Sequence, residues 1–218
     1  MLMSFPTKYG AGMRLYGDYW DLKSLHETIH VLCEGPFEAR IYEYVLALAY
    51  EIRHAFQGDR EEKSFGRDEY DSVKYRGCAL LWPHLLAQAG LLRAFASMRP
   101  TTLKIQGNLY LLEHCIQDSL TAYDPLIGPQ CFDFVRSYSI IMGGPYHTQY
   151  FDICARKYVC EGKPGKARFK RLPGILHMIH PASQEYHSFS LTLEGMAKEQ
   201  KRKPEEFADY SEWPDFKW

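Results

Sequence analysis

The sequence lacks the features that would place it directly in a secreted, membrane or common enzyme class. Its first ten residues, MLMSFPTKYG, carry no charged start followed by a long apolar run, so no signal peptide is expected. The longest apolar run, near Cys78 to Trp82, is far too short to span a bilayer. No CxxC pair, P-loop, GxSxG or GxGxxG pattern occurs. These absences favour a cytoplasmic protein with reduced, mostly buried cysteines.

A strong charge of either sign is also missing. The chain has 26 Lys and Arg against 27 Asp and Glu, which gives a formal net charge of -1. This balance does not steer the whole molecule toward nucleic acid or an anionic membrane. Aromatic residues are plentiful, with 16 Tyr and 12 Phe, and such side chains favour a firm core or an adhesive surface.

Helical periodicity dominates what is present. Apolar residues recur at intervals of three and four along several segments, most clearly Leu22, Leu25, Ile29 and Leu32, and Ile105, Leu109, Leu112, Ile116 and Leu120. The second stripe is bounded by Thr101-Thr102 and Pro125, and we expect it to be a central helix. The sequence therefore predicts a mainly α fold: a compact multi-helix bundle with one or two short strands, formed as a single domain over residues 1–218.

Three segments interrupt the helical pattern. Residues 1–12 are expected to form an irregular arm. Residues 58–71 are charged and carry two glycines, which predicts a mobile solvated loop. Residues 161–174 are basic and rich in Gly and Pro, which predicts a second loop that is extended in part.

The sharpest chemical signal is the HExxH run from His26 to His30 on a predicted helix. Histidines four positions apart share a helix face and can hold one Zn²⁺, while Glu27 can act as the general base on a bound water. Such a site needs a third ligand, for which Glu113 is the candidate. The alternative, which we favour, is an ordinary amphipathic helix with two histidines at the edge of its apolar stripe.

Two further features suggest contacts with partners. Lys166, Arg168 and Lys170 alternate in the basic segment 163–171, a pattern compatible with nucleic-acid binding, although the near-neutral chain and the flanking glycines favour a solvated loop. The aromatic stretch from Trp213 to Trp218 is either a docking peptide or, as we expect, packed on its own domain.

One run of residues resembles the opening of an uncharacterised bacterial family of unknown function. It is Gly12-x-x-x-x-Gly17-Asp18-x-x-Asp21-Leu22-x-x-Leu25-x-x-Thr28-Ile29-His30, and Leu111-Leu112-Glu113 and Tyr123-Asp124 are similar to the middle of that family. The resemblance covers about half of the chain. It implies a bacterial cytosolic protein and no particular activity.

These patterns lead to one leading hypothesis and two alternatives. The leading hypothesis is a non-catalytic binding or regulatory module that acts through contacts with a protein partner or a second copy of the chain. The first alternative is a zinc-dependent hydrolase with His26 and His30 as ligands and Glu27 as base. The second is a nucleic-acid-associated protein that uses residues 163–171. No membrane association is expected.

Overall fold

The computed structural model describes residues 1–35, 39–66, 72–137, 146–207 and 213–218. The strands are β1 Met3–Pro6, β2 Gly12–Gly17, β3 Glu61–Phe65 and β4 Val73–Leu81. The helices are α1 Tyr19–Leu32, α2 Ala39–Gln57, α3 Trp82–Ser97, α4 Leu103–Tyr123, α5 Ile127–Ser137, α6 His147–Cys160, α7 Lys166–Phe169, α8 Leu172–Ile179 and α9 Gln184–Gln200, followed by a 3-10 turn at Pro204–Phe207. The prediction of a mainly α fold with a few short strands is confirmed.

The strands form one antiparallel sheet in the order β1-β2-β4-β3. Met13 of β2 pairs with Leu80 of β4, and Leu15 pairs with Cys78. All four side chains are buried, because directly paired residues of antiparallel strands lie on the same face of the sheet. Helices α1, α2 and α4 contact the sheet, so it supplies one wall of a largely helical core.

Three of the local predictions require correction. β1 lies in the expected irregular arm, where Met3 pairs with Tyr16. β3 lies within the expected mobile loop 58–71 and pairs with β4, while residues 67–71 are outside the described residues. β3 carries charges and no apolar alternation, as edge strands often do, which explains why its sequence resembles a loop. The basic segment contains the short helix α7 instead of an extended stretch.

Gly12 is required by the close approach of β2 and β4. A Cβ atom at this position would lie 1.9 Å from the main-chain oxygen of Leu80. Since that oxygen belongs to the neighbouring strand, it cannot move aside without breaking the pairing. Only glycine therefore fits here.

The first helix begins with a reciprocal cap. Asp18 caps α1 by accepting a hydrogen bond of 2.8 Å from the Asp21 main chain, and the Asp21 carboxylate accepts one of 3.3 Å from the Asp18 main chain. This reciprocal arrangement satisfies two main-chain donors that the first turn would otherwise leave unpaired. The apolar stripe that follows, from Leu22 to Leu32, is fully buried.

The central position in the core belongs to α3 and not, as predicted, to α4. Helix α4 buries its stripe at Leu109, Leu112, Ile116 and Leu120, but its opposite side faces solvent. Helix α3 is buried around nearly its whole circumference and contacts α1, α2, α4, α5, α6 and α8. A helix that is apolar on every side, without a distinct stripe, is typical of this enclosed position. Within the described residues, no helix has the length and apolarity needed to cross a bilayer.

Candidate functional site

The two histidines of the HExxH run do converge. The Nε2 atoms of His26 and His30 lie 3.1 Å apart on α1. His26 is half-buried beside the ring of Phe56, with 5.6 Å between the ring centroids, and His30 is exposed. Burial lowers the pKa of His26, and the neighbouring His30 and Arg53 act in the same direction. His26 is therefore available in the neutral form that a metal ion needs.

The two glutamates proposed to complete this site are engaged elsewhere. Glu27 lies 3.7 Å from the ammonium group of Lys104. Glu113 forms an ion pair of 2.7 Å with Arg93. Across the described parts of the chain, no group of three His, Cys, Asp or Glu side chains is arranged to hold a metal ion. The structure thus brings His26 and His30 together, but it does not place the candidate third ligand, Glu113, beside them.

The three basic residues considered for nucleic-acid binding do not form a common surface. Arg168 is buried, with 2% of its surface exposed, and donates hydrogen bonds to the main-chain oxygens of Lys217 at 2.7 Å and Val159 at 3.1 Å. Lys166 donates to the main-chain oxygen of Tyr123 and lies over its ring. Lys170 is exposed. Arg168 consequently binds main-chain groups inside the protein. The surface around Lys166 and Lys170 therefore presents fewer cations to phosphate groups than the sequence suggested.

A large cavity lies elsewhere, between α2, the end of β4, the first turns of α3, and the segment 213–218. Its volume is about 860 Å³. Its walls are mostly apolar and aromatic, and they include Leu46, Ala47, Leu48, Leu85, Tyr44, Tyr50, Trp213, Phe216 and Trp218. This size and this lining are typical of sites for small organic molecules.

A polar row crosses one end of the cavity. The Tyr44 hydroxyl lies 3.1 Å from Nδ1 of His84, and the Asp152 carboxylate lies 3.6 Å from Nε2 of the same ring. If Tyr44 donates to Nδ1, the proton of the neutral ring is on Nε2 and faces Asp152. Burial lowers the pKa of His84 to about 4, and its place in the first turn of α3 disfavours the charged ring as well. His84 is therefore neutral near pH 7.

The segment 213–218 forms one side of the cavity and is fastened to the rest of the molecule. Trp213 packs edge-on against His84, with 5.7 Å between the ring centroids. Farther along, the buried Arg168 binds the main-chain oxygen of Lys217, and the main-chain oxygen of Trp218 accepts a hydrogen bond of 3.0 Å from Tyr9. The expectation that these aromatic residues pack on their own domain agrees with this arrangement.

Sequence reasoning missed this site because its members are far apart along the chain. Tyr44, His84 and Asp152 are single polar positions on three different amphipathic or apolar helices, and none belongs to a recognisable motif. The aromatic stretch after residue 212 was the one available signal, and it indicated packing without indicating a cavity.

The fold and the site together define a mainly α-helical protein with a small antiparallel sheet and a prominent apolar cavity. The chain belongs to the family described as a domain of unknown function, DUF6904, whose model matches residues 2–218. No curated protein and no solved structure shows a significant match to the chain.

Proposed function

We propose that this protein is a non-catalytic binding module that holds a mainly apolar small molecule in the cavity between α2, α3 and the segment 213–218. The observation that carries this proposal is a cavity of about 860 Å³ with an apolar and aromatic wall and a polar row at one end. Apolar walls supply affinity and a few fixed polar groups supply orientation. We therefore propose that the module binds a small ligand, whereas the sequence led us to expect contacts with a protein.

The chemistry of the lining supports binding over catalysis. The described lining residues include no Ser, Thr, Cys or Lys that could serve as a nucleophile. Both ring nitrogens of His84 already face partners of this chain, Tyr44 and Asp152. The outer groups of this row, the Tyr44 hydroxyl and the Asp152 carboxylate, can hydrogen-bond a ligand.

Nile red, a neutral apolar dye, tests this proposal by its fluorescence. Ala47 is an exposed residue of α2 that lines the cavity, so Ala47→Trp should fill part of it and weaken dye binding about tenfold or more. Ala122, an exposed residue of α4 outside the cavity lining, provides the matched control Ala122→Trp. Saturable 1:1 binding that is weakened by the first variant alone is expected. Absence of saturable binding, or equal weakening by both variants, refutes the proposal.

A second candidate function, metal binding at α1, is favoured by the 3.1 Å separation of the His26 and His30 Nε2 atoms. Two bonds of about 2 Å to one tetrahedral ion place the nitrogens at about this distance. We propose that His26 and His30 supply two of the ligands of a zinc site, on which a hydrolase role for Glu27 would depend. Metal analysis of protein purified without added metal or a His-tag should find stoichiometric zinc, lost in His30→Ala and kept in the exposed control His114→Ala. Metal-free protein that also fails to take up added zinc contradicts this candidate.

A further inference from the structure

The charged residues that line the cavity are acidic, and Arg53, Arg60 and Arg156 contact some of the lining residues from outside it. Glu43, Glu51 and Asp152 are among its lining residues, while the described lining contains no Lys or Arg. The histidine in the wall, His84, is neutral near pH 7 because burial lowers its pKa to about 4. An anionic ligand would therefore meet carboxylates without a lining cation to offset them.

The three carboxylates differ in how far they are already neutralised. Glu51 forms an ion pair of 2.8 Å with Arg60. Burial raises the pKa of the Asp152 carboxyl, and Arg156, one helical turn away, opposes this rise; about half of the Asp152 side chain remains exposed. Glu43 has no ion pair among the described residues and is exposed to solvent. Glu43 and Asp152 are thus the carboxylates that can still attract a cation.

The aromatic wall attracts cations independently of these carboxylates. The guanidinium of Arg53 lies 5.3 Å from the ring centroid of Tyr50, and that of Arg156 lies 5.2 Å from the ring centroid of Trp213. Ring faces bind cations through the negative charge at their centres, and Trp and Tyr do so more strongly than Phe. The guanidinium of Arg168 lies 5.9 Å from the ring centroid of Phe216 as well, so three of the aromatic residues that line the cavity hold a cation of this chain.

We propose that the cavity selects an amphipathic organic cation: a ligand with an aryl or alkyl body and a single amine or quaternary ammonium group. The body lies against the apolar wall of α2 and α3, and the cationic group lies beside the lining carboxylates and aromatic rings. This inference rests on the proposed function, because it names the ligand class of the same cavity.

Three probes with a similar body and different charge test the inference. They are 4-phenylbutyltrimethylammonium, the neutral 5-phenylpentanol and the anionic 4-phenylbutanesulfonate, titrated by calorimetry at low salt. We expect the cation to bind about tenfold or more tightly than the neutral probe, since ring faces and nearby carboxylates both favour it. This preference should diminish in high salt, because mobile ions screen partly exposed charges.

Variants locate the source of the preference. The double variant Glu43→Gln with Asp152→Asn should lose most of the preference, so that the cation binds about as tightly as 5-phenylpentanol. Glu199→Gln, which alters an exposed carboxylate on α9, should keep the wild-type preference.

The possible failures are distinguishable. If the neutral or anionic probe binds as tightly as the cation, or if the double variant keeps the preference, the assignment of a cationic ligand is overturned and the apolar binding site stands. If none of the three probes binds and Nile red does not bind either, the proposed function and this inference both fall.

Discussion

Acidification should destabilise this protein through His84 in particular. The imidazole has 19% of its side-chain surface exposed, lies beside Trp213 and Tyr44, and keeps a pKa of about 4 because burial penalises its charged form. In the unfolded chain the same group has a pKa of about 6.5. Between these two values the unfolded state binds a proton at His84 and the folded state does not. The free energy of unfolding must therefore fall as the pH falls from about 6.5 to about 4, and this effect levels off below that range.

The magnitude follows from the two pKa values. Each tenfold difference in proton affinity corresponds to about 1.4 kcal/mol, so the full effect of His84 approaches about 3 kcal/mol. Partial exposure of the ring to water reduces this free energy. Asp152 also opposes the effect of His84. Because burial raises the pKa of the Asp152 carboxyl, the folded state binds a proton there more readily than the unfolded state, which stabilises the fold on acidification. A loss of about 1 to 3 kcal/mol is the expected result, which is a large part of the stability of a typical domain.

Urea unfolding at several pH values between 4 and 8, at constant ionic strength, measures this dependence. Other histidines with lowered pKa values, His26 and His147, contribute with the same sign, so the informative quantity is the difference between the wild type and His84→Gln. That variant removes the titrating group and should flatten the curve in this range, whatever its stability at pH 8. Equal pH dependence of the two proteins, or an NMR titration of the His84 ring near pH 6.5, would refute the reasoning.

Four further variants have expected outcomes, measured by urea or thermal unfolding unless another assay is named. Leu112→Ala should cost about 2–5 kcal/mol, because Leu112 is 1% exposed and its truncation leaves a cavity; a loss below about 1 kcal/mol would contradict its place in the core. Gly107→Ala should stabilise α4 by about 0.5–1 kcal/mol, since a Cβ there meets no atom within 4 Å, whereas Gly12→Ala should unfold much of the protein. Arg168→Met should leave the main-chain oxygens of Val159 and Lys217 unpaired, at a cost of about 1–3 kcal/mol. The same variant should raise acrylamide quenching of Trp218, and unchanged quenching would show that Arg168 does not hold the segment 213–218.

The parts of the fold that were predictable are those specified by neighbouring residues. The helix start at Thr102 and the stripe from Ile105 to Leu120 depend on spacings of three and four residues, and both are present, with Ile105 only partly buried. β1 and β3 depend on partners elsewhere in the chain, and their own sequences carry no alternation that would identify them. Local patterns do not report such pairings.

The two candidate sites differ in the same way, since one depends on neighbouring residues and the other on residues far apart in the chain. His26 and His30 are one helical turn apart, so their convergence could be predicted from the sequence, whereas the engagement of Glu113 by Arg93 on another helix could not. The cavity depends entirely on tertiary contacts. Arg168 illustrates the difficulty: its sequence neighbourhood is that of a solvated basic loop, yet three distant main-chain segments surround it.

The direct junction between β4 and α3 has a consequence for how this family can vary in length. Leu81 ends the strand and Trp82 begins the helix, so no loop residue separates them. Inserting one residue there would rotate the whole of α3 by about 100° relative to the sheet. His84 would leave the cavity wall. Because α3 is buried on nearly all sides, the rotation would also disrupt its packing against the neighbouring helices. Insertions and deletions among relatives should therefore accumulate at residues 58–60 and 161–165 and avoid the boundary between residues 81 and 82.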